Sequence, residues 1–255
     1  MSPTTVLVTG AGRGIGSGFI ATLLLRPSST VIAAVRDPSN SSARALQDLP
    51  KGEGSKLIIV KIDSSIETDP AEAVSALRRD HDINALDVVI ANAGIAHSSG
   101  PVIKTSTAAI KDHFAVNTIG PLLLFQATAP LLKASNSGRP VFVAVTSMIG
   151  TISGMESLED LPPALSPYGS SKAALNWFIR RLHFEETWLT SFVVHPGTVA
   201  TDMVHSVIEG TDLKLEDLGA ITVEESVSRI VGRIDTASRD ISGTFQNYDG
   251  THLPW

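Results

Sequence analysis

Tyr168 and Lys172 stand four residues apart in a stretch of helical periodicity, and Ser147 closes a β-type run upstream of them. On a helix, residues at i and i+4 share a face, so the lysine ammonium can approach the phenol. A cation there is expected to favour phenolate over phenol, pull the group down from its ordinary value near pH ~10, and make Tyr168 a proton donor near neutral pH. Ser147 could hydrogen-bond a carbonyl oxygen and steady the charge developing on it. Far upstream lies a glycine-rich turn, Thr9-Gly10-Ala11-Gly12-Arg13-Gly14-Ile15-Gly16. Each feature alone is weak. In this order along one chain, they point to hydride transfer between a nicotinamide dinucleotide and a carbonyl carbon.

The elements that must position these residues follow from hydrophobic rhythm. Short β-branched runs at 6–9, 31–35, 57–62, 88–91, 141–145 and 192–195 alternate with helical patterns at 14–26, 69–81, 105–133 and 168–189. Continuous apolar strands are buried on both faces, which requires helices above and below a mostly parallel sheet. The expectation is an α/β, doubly wound Rossmann fold in a single domain over residues 1–255. The glycines Gly10, Gly14 and Gly16 depart from the usual Gly-x-Gly-x-x-Gly spacing, but they follow a strand and open a helix, the context a phosphate-binding turn needs. Two irregular segments, 151–167 with Pro162, Pro163 and Pro167, and 198–222, follow strand ends where ligands bind in open α/β sheets. The substrate pocket is expected there. Along the helix from Tyr168, Leu175, Ile179 and Leu182 form one apolar stripe, with Trp177, Phe184 and Trp188 nearly opposite, so both sides are expected to be covered.

Composition bounds the alternatives. The 255 residues are 43% hydrophobic, enough for one large core, and there is no cysteine, which excludes disulfides, thiolate metal sites and thiol catalysis. The formal charge of −6 is spread along the chain without a basic cluster, so nucleic acid is not an expected partner. His97, His113, His195 and His252 lack metal-ligand spacing and read as structural or solvent-facing. The first strand begins within a few residues of Met1 and no apolar run approaches the ~18 residues of a membrane span, so a soluble, cytoplasmic protein is expected.

The residue closing the second strand reads the adenosine ribose in a dinucleotide fold, and an acid there would bond the 2′-hydroxyl. This chain offers Val35-Arg36. Guanidinium groups at Arg36 and Arg13 suit a 2′-phosphate, so NADP(H) is expected over NAD(H). Asp37 is the competing signal, although with Pro38 after it the acid suits a turn or a cap.

These residues resemble the classical short-chain dehydrogenase/reductase family across essentially the whole chain. Thr9 to Gly16, including Arg13 and Ile15, looks like its cofactor turn, Asp63 like its adenine-contacting acid, and Asn92-Ala93-Gly94 like the motif beneath the nicotinamide ribose. Asn117, Ser147, Tyr168 and Lys172 match its catalytic four. Pro196-Gly197-Thr198-Val199 through Thr201 matches the segment that holds the carboxamide. The resemblance implies that Lys172 also bonds the ribose hydroxyls, that Asn117 holds a water, and that the helix from Tyr168 pairs across a homodimer or homotetramer. The tail from Tyr248 to Trp255 is similar to the carbonyl-reductase-like branch, and the run from His183 to Thr190 to the norsolorinic acid ketoreductases. The interval from Ser147 to Tyr168 is longer than the family's. Ser153 sits nearer the usual offset, but Ser147 ends a strand and has Gly150 three residues on, so the extra residues read as a loop insertion. The implied activity is reduction of a bulky, aromatic ketone, with a broad carbonyl detoxifier or a non-catalytic nucleotide-binding regulator as alternatives.

Overall fold

The computed structural model describes residues 4–97, 100–159, 165–208 and 213–255. Leu161, Pro162 and Pro163 of the first irregular segment, and residues 209–212 of the second, lie outside them. In chain order the elements are β1 (Thr4–Thr9), α1 (Gly14–Leu24), β2 (Ser29–Val35), α2 (Ser41–Ala45), β3 (Lys56–Lys61), α3 (Asp69–His81), β4 (Val88–Ala91) and α4 (Thr107–Phe114). After α4 come a π-helical turn (Ala115–Ile119), α5 (Gly120–Lys133), β5 (Val141–Val145), α6 (Ser166–Glu185), β6 (Thr190–His195), α7 (Asp202–Ile208), α8 (Val223–Asp235) and β7 (Phe245–Asn247).

The strands form one parallel sheet in the order β3-β2-β1-β4-β5-β6-β7. Strand side chains alternate between two cores. Leu7, Ile32, Val89, Phe142 and Val193 face the side covered by α3, α5 and α6. Val8, Val31, Ile90, Val143 and Val194 face the side covered by α1 and α8. Residues of β4 and β5 are buried throughout, as a strand covered on both faces must be. The chain order reverses between β1 and β4, which opens a crevice at their C-terminal ends.

Several features differ from expectation. The 105–133 pattern is two helices around a π turn, because the apolar spacing continues through the turn. The segment 198–222, expected to be irregular, contains α7. Helix α6 ends at Glu185, so Trp188 lies outside it and packs on the core beneath Lys133, while Trp177 and Phe184 are exposed. Their side of α6 is thus uncovered in the single chain. Finally, Thr107–Lys133 is long and apolar enough to cross a membrane by length and composition, with a mean hydropathy of 1.3, against the expectation that no such stretch exists. Its apolarity has a local cause, since Leu124, Phe125, Leu131 and Leu132 pack into the core.

Candidate active site

The site is built where the loops after β1, β4 and β5 meet the first turns of α6. Pro167 in the first turn of α6 starts the helix with a preset φ, and Tyr168 and Lys172 share the face turned to β5. Ser147, just past β5, adopts an extended conformation, and its hydroxyl accepts from the Ile149 amide (3.2 Å). The turn that follows lies hard on α6, for a Cβ at Gly150 would stand 2.8 Å from Lys172 Cβ. This contact brings Ser147 beside the phenol of Tyr168, whose charged form its hydroxyl favours. Ser153 is elsewhere, since its hydroxyl donates to the Trp255 carbonyl (2.5 Å).

Charge at this centre departs from expectation. Burial pushes the Tyr168 phenol up to about 12, opposed by the Ser147 hydroxyl beside it, and pushes Lys172 down to about 8. The expected lowering of the phenol is therefore corrected. Lys172 Nζ lies 5.8 Å from the ring centroid of Tyr168 and donates to the Val145 carbonyl (2.8 Å), so desolvation governs both groups.

Asn117 lies in the π turn and is fully buried. Its Oδ1 accepts from the Ile95 amide (2.9 Å), and its Nδ2 donates to the Ile95 carbonyl (2.9 Å) and to Ser171 Oγ (3.0 Å). The Thr118 hydroxyl donates to the Ser171 carbonyl (2.8 Å), which docks the π turn onto α6.

At the other end of the crevice, the turn after β1 is a cradle. Gly10 has φ +65°, and a Cβ there would lie 2.9 Å from Ala93 Cα, while one at Gly16 would collide with the Gly10 carbonyl. Asn92 Nδ2 donates to the Thr9 carbonyl (3.0 Å), and the Asn92 and Ala93 amides donate to Thr9 Oγ1 (both 3.1 Å). Helix α1 has no side-chain cap and no acid in its first turn. Its orphan amides suit an anion, and the side-chain-free approach suits a pyrophosphate. The residues present fit a dinucleotide.

A model of the short chain dehydrogenase family matches residues 4–212. The chain belongs to that family. As one of its members it is an oxidoreductase of the kind that binds a nicotinamide cofactor. It is similar to the norsolorinic acid ketoreductase of Dothistroma septosporum, at 47% identity over 99% of this chain and 92% of the relative. It is also similar to that of Aspergillus parasiticus, at 42% over 99% and 91%. An NADPH-bound carbonyl reductase from chicken fatty liver superimposes with a TM-score of 0.86 at 32% identity, all of both chains being covered. The carbonyl reductase Sniffer of Drosophila melanogaster gives 0.82 at 28%, covering 99% of each.

In this short-chain dehydrogenase the loops after β2 and β3 each carry a carboxylate with local partners. Asp37 Oδ1 accepts from the Ser39 hydroxyl (2.7 Å) and amide (2.9 Å), bonds that hold it below the usual carboxylate range with help from Arg36. It forms a turn, and Asn40 rather than Asp37 caps α2. Burial would raise Asp63, but the hydroxyl and amide of Ser65 outweigh it, with Arg36 and Lys61 nearby, and hold it low. The Asp63 amide is fixed by buried Asp69 (2.8 Å). Arg36 is exposed, as is Arg13, which faces Asp202 at 3.8 Å.

The carboxamide-type segment leaves β6 through buried Pro196, whose carbonyl accepts from Ser226 (2.6 Å), and Gly197. Val199 bridges Ile221, and Thr201 lies against the glycine turn, with its Cγ2 3.4 Å from where a Gly14 Cβ would be. Partly buried Ile15 packs on the α1 side of the core.

Sequence reasoning missed several positioning residues. His113 is fully buried with its ring edge-on to Tyr168, the centroids 6.4 Å apart, and its Nε2 accepts from the His97 amide (3.1 Å). Thr146 Oγ1 donates to Asn176 (2.6 Å), a second tie between the end of β5 and α6. Nothing in local spacing marks these pairs. His195 is half-buried, its buried Nδ1 has no hydrogen-bond partner, and desolvation pushes it down to about 4, so it is neutral. Among the described residues no cluster of His, Cys, Asp or Glu could hold a metal.

Proposed function

We propose that this chain is an NADPH-dependent ketoreductase that reduces a ketone of a bulky, aromatic, polyketide-type secondary metabolite to the alcohol. The observation that carries the reading is the gathering of Ser147, Tyr168 and Lys172, with Lys172 Nζ 5.8 Å from the Tyr168 ring, beside a cradle that fits a dinucleotide.

Gly10, Gly14, Gly16 and the α1 amides would hold the pyrophosphate, Asp63 the adenine, Asn92, Ala93, Gly94 and Lys172 the nicotinamide ribose, and Pro196, Gly197, Val199 and Thr201 the carboxamide. Bound reduced nicotinamide supplies a hydride to the ketone carbon. Ser147 donates to the ketone oxygen and stabilises the charge growing there. With its pKa at about 12, Tyr168 is a neutral phenol across the physiological range and carries the proton that alkoxide requires. As the proton leaves, the nearby ammonium of Lys172 compensates the nascent phenolate. Asn117 and His113 hold Ile95 and His97, and so fix the loop that runs on from Asn92-Ala93-Gly94.

Arg36, with Arg13 across the turn, supports NADPH, because the acid that competes for the ribose, Asp37, is already engaged by Ser39. Exposed apolar side chains in the loops after β4 and β5, namely Val102, Ile103, Ile152 and Met155, support a large apolar substrate. The two norsolorinic acid ketoreductases support the same class. The likeness to a carbonyl reductase from chicken over the whole chain favours, as a second reading, a broad carbonyl reductase. The complete Ser147, Tyr168 and Lys172 set stands against a non-catalytic regulator. A cytoplasmic homodimer or homotetramer completes the reading.

The test is NADPH and NADH oxidation against a panel from small dicarbonyls to polycyclic aryl ketones. The expected result is preference for NADPH and for the polycyclic end, with Arg36→Ala weakening NADPH far more than NADH. Equal effects on both cofactors would show that Arg36 reads something other than the phosphate.

A further inference from the structure

Beyond β7 the chain turns at Tyr248–Thr251 and runs back along it, with the Asn247 amide donating to the Thr251 carbonyl (2.7 Å) and the Leu253 amide to the Phe245 carbonyl (2.8 Å). Its last two residues then fasten the loop that follows Ser147. The Pro254 carbonyl accepts from Thr151 Oγ1 (2.9 Å), and the Trp255 carbonyl accepts from both the amide (2.6 Å) and the hydroxyl (2.5 Å) of Ser153. A Cβ at Gly154 would stand 2.9 Å from Pro254 Cγ, so the proline ring lies hard against the Gly154 backbone. The indole of Trp255 is itself seated, 5.7 Å from Phe245 and under the Arg180 guanidinium at 4.7 Å.

Between and beside these anchor points, Ile152 and Met155 are 69% and 56% exposed. A segment held by three hydrogen bonds therefore presents apolar surface outward, on the loop that joins the serine to the tyrosine. We infer that Trp255 is a specificity-determining positioning residue: its seated indole fixes the tail, whose main-chain oxygens at Trp255 and Pro254 hold Ser153 and Thr151, and with them Ile152 and Met155, as an apolar wall for the substrate. The inference rests on the ketoreductase reading and deepens it. The tail touches the crevice at its other end too, where a Cβ at Gly197 would lie 3.1 Å from the Tyr248 ring.

The experiment is steady-state kinetics of full-length Trp255→Ala, Trp255→Phe and Ser153→Ala with 2,3-butanedione and with 1-acetylpyrene, alongside hydrogen exchange at the Ser153 amide and a thermal melt. Trp255→Ala should raise KM for acetylpyrene about tenfold, the loss of roughly 55 Å² of apolar contact, with kcat and butanedione turnover changed by under about threefold. Trp255→Phe should restore most of the KM, and Ser153→Ala should raise it by a smaller factor. Exchange at Ser153 should be slow in the parent and fast in Trp255→Ala. A folded Trp255→Ala variant with unchanged KM, equal losses on both ketones, or unchanged Ser153 exchange overturns the inference. A parent enzyme that reduces neither ketone overturns the ketoreductase reading instead, and the exchange measurement still decides whether Trp255 anchors the loop.

Discussion

Burial moves Tyr168 and Lys172 in opposite directions, each toward its neutral form, and this has consequences that can be measured separately from turnover. Lys172 sits at about 8 against an ordinary 10.5, so folding carries a penalty below pH 8 that fades as pH rises toward 10.5. The sign follows because the unfolded chain binds the lysine proton more tightly than the folded one. Lys172→Met should thus stabilise the fold at pH 7. The relief of ~3 kcal/mol from the buried charge, less ~1 for the lost hydrogen bond to Val145, leaves about 2 kcal/mol. Urea melts at pH 7 and pH 10 read this, and a gain that persists undiminished at pH 10 contradicts it. Ser147→Ala should lower kcat on the order of 100-fold, the typical loss of one donor to a developing oxyanion. If Ser153→Ala shows that loss instead, the wrong serine has been placed at the phenol.

At the scale of elements, legibility followed length and context. Helix α3 and strands β4 and β5 stand at the boundaries read from sequence, because buried parallel strands and a capped amphipathic helix leave uninterrupted patterns. Strand β7 has three residues, too few for any period to register. Helix α8 was missed although Thr222 and Glu225 form the spacing of a capping box, with Val227, Ile230, Val231 and Ile234 as its buried face. Thr222 Oγ1 accepts from the Glu225 amide (3.1 Å), so Thr222→Ala should cost about 1 kcal/mol by chemical denaturation. No loss of stability would mean the cap is dispensable. Within the site, the nearness of Ser147, Tyr168 and Lys172 was legible from order and spacing. The lysine's bond to Val145, the docking of the π turn on Ser171 and the anchoring of Ser153 by Trp255 were not, since each joins residues tens of positions apart through tertiary packing.

At the scale of the whole molecule, α6 presents Trp177, Phe178 and Phe184 to solvent beside a groove lined by Leu122, Phe125, Gln126 and Arg181 from α5 and α6. An aromatic patch of this kind is what the proposed homodimer or homotetramer would bury. Light scattering should give a mass of two or four chains for the parent and one chain for Trp177→Ala combined with Phe184→Ala, whereas a monomeric parent removes the dimer from the account. The central claim, that hydride from reduced nicotinamide meets a ketone at the Ser147 and Tyr168 centre, is tested most directly by isotope transfer. NADPH carrying deuterium at both C4 positions is incubated with the protein and a polycyclic aryl ketone, and the product is examined by mass spectrometry. The account predicts an alcohol with one deuterium on its carbinol carbon, and none formed by Tyr168→Phe although that variant still binds NADPH. An alcohol without deuterium, or undiminished product from Tyr168→Phe, would contradict it.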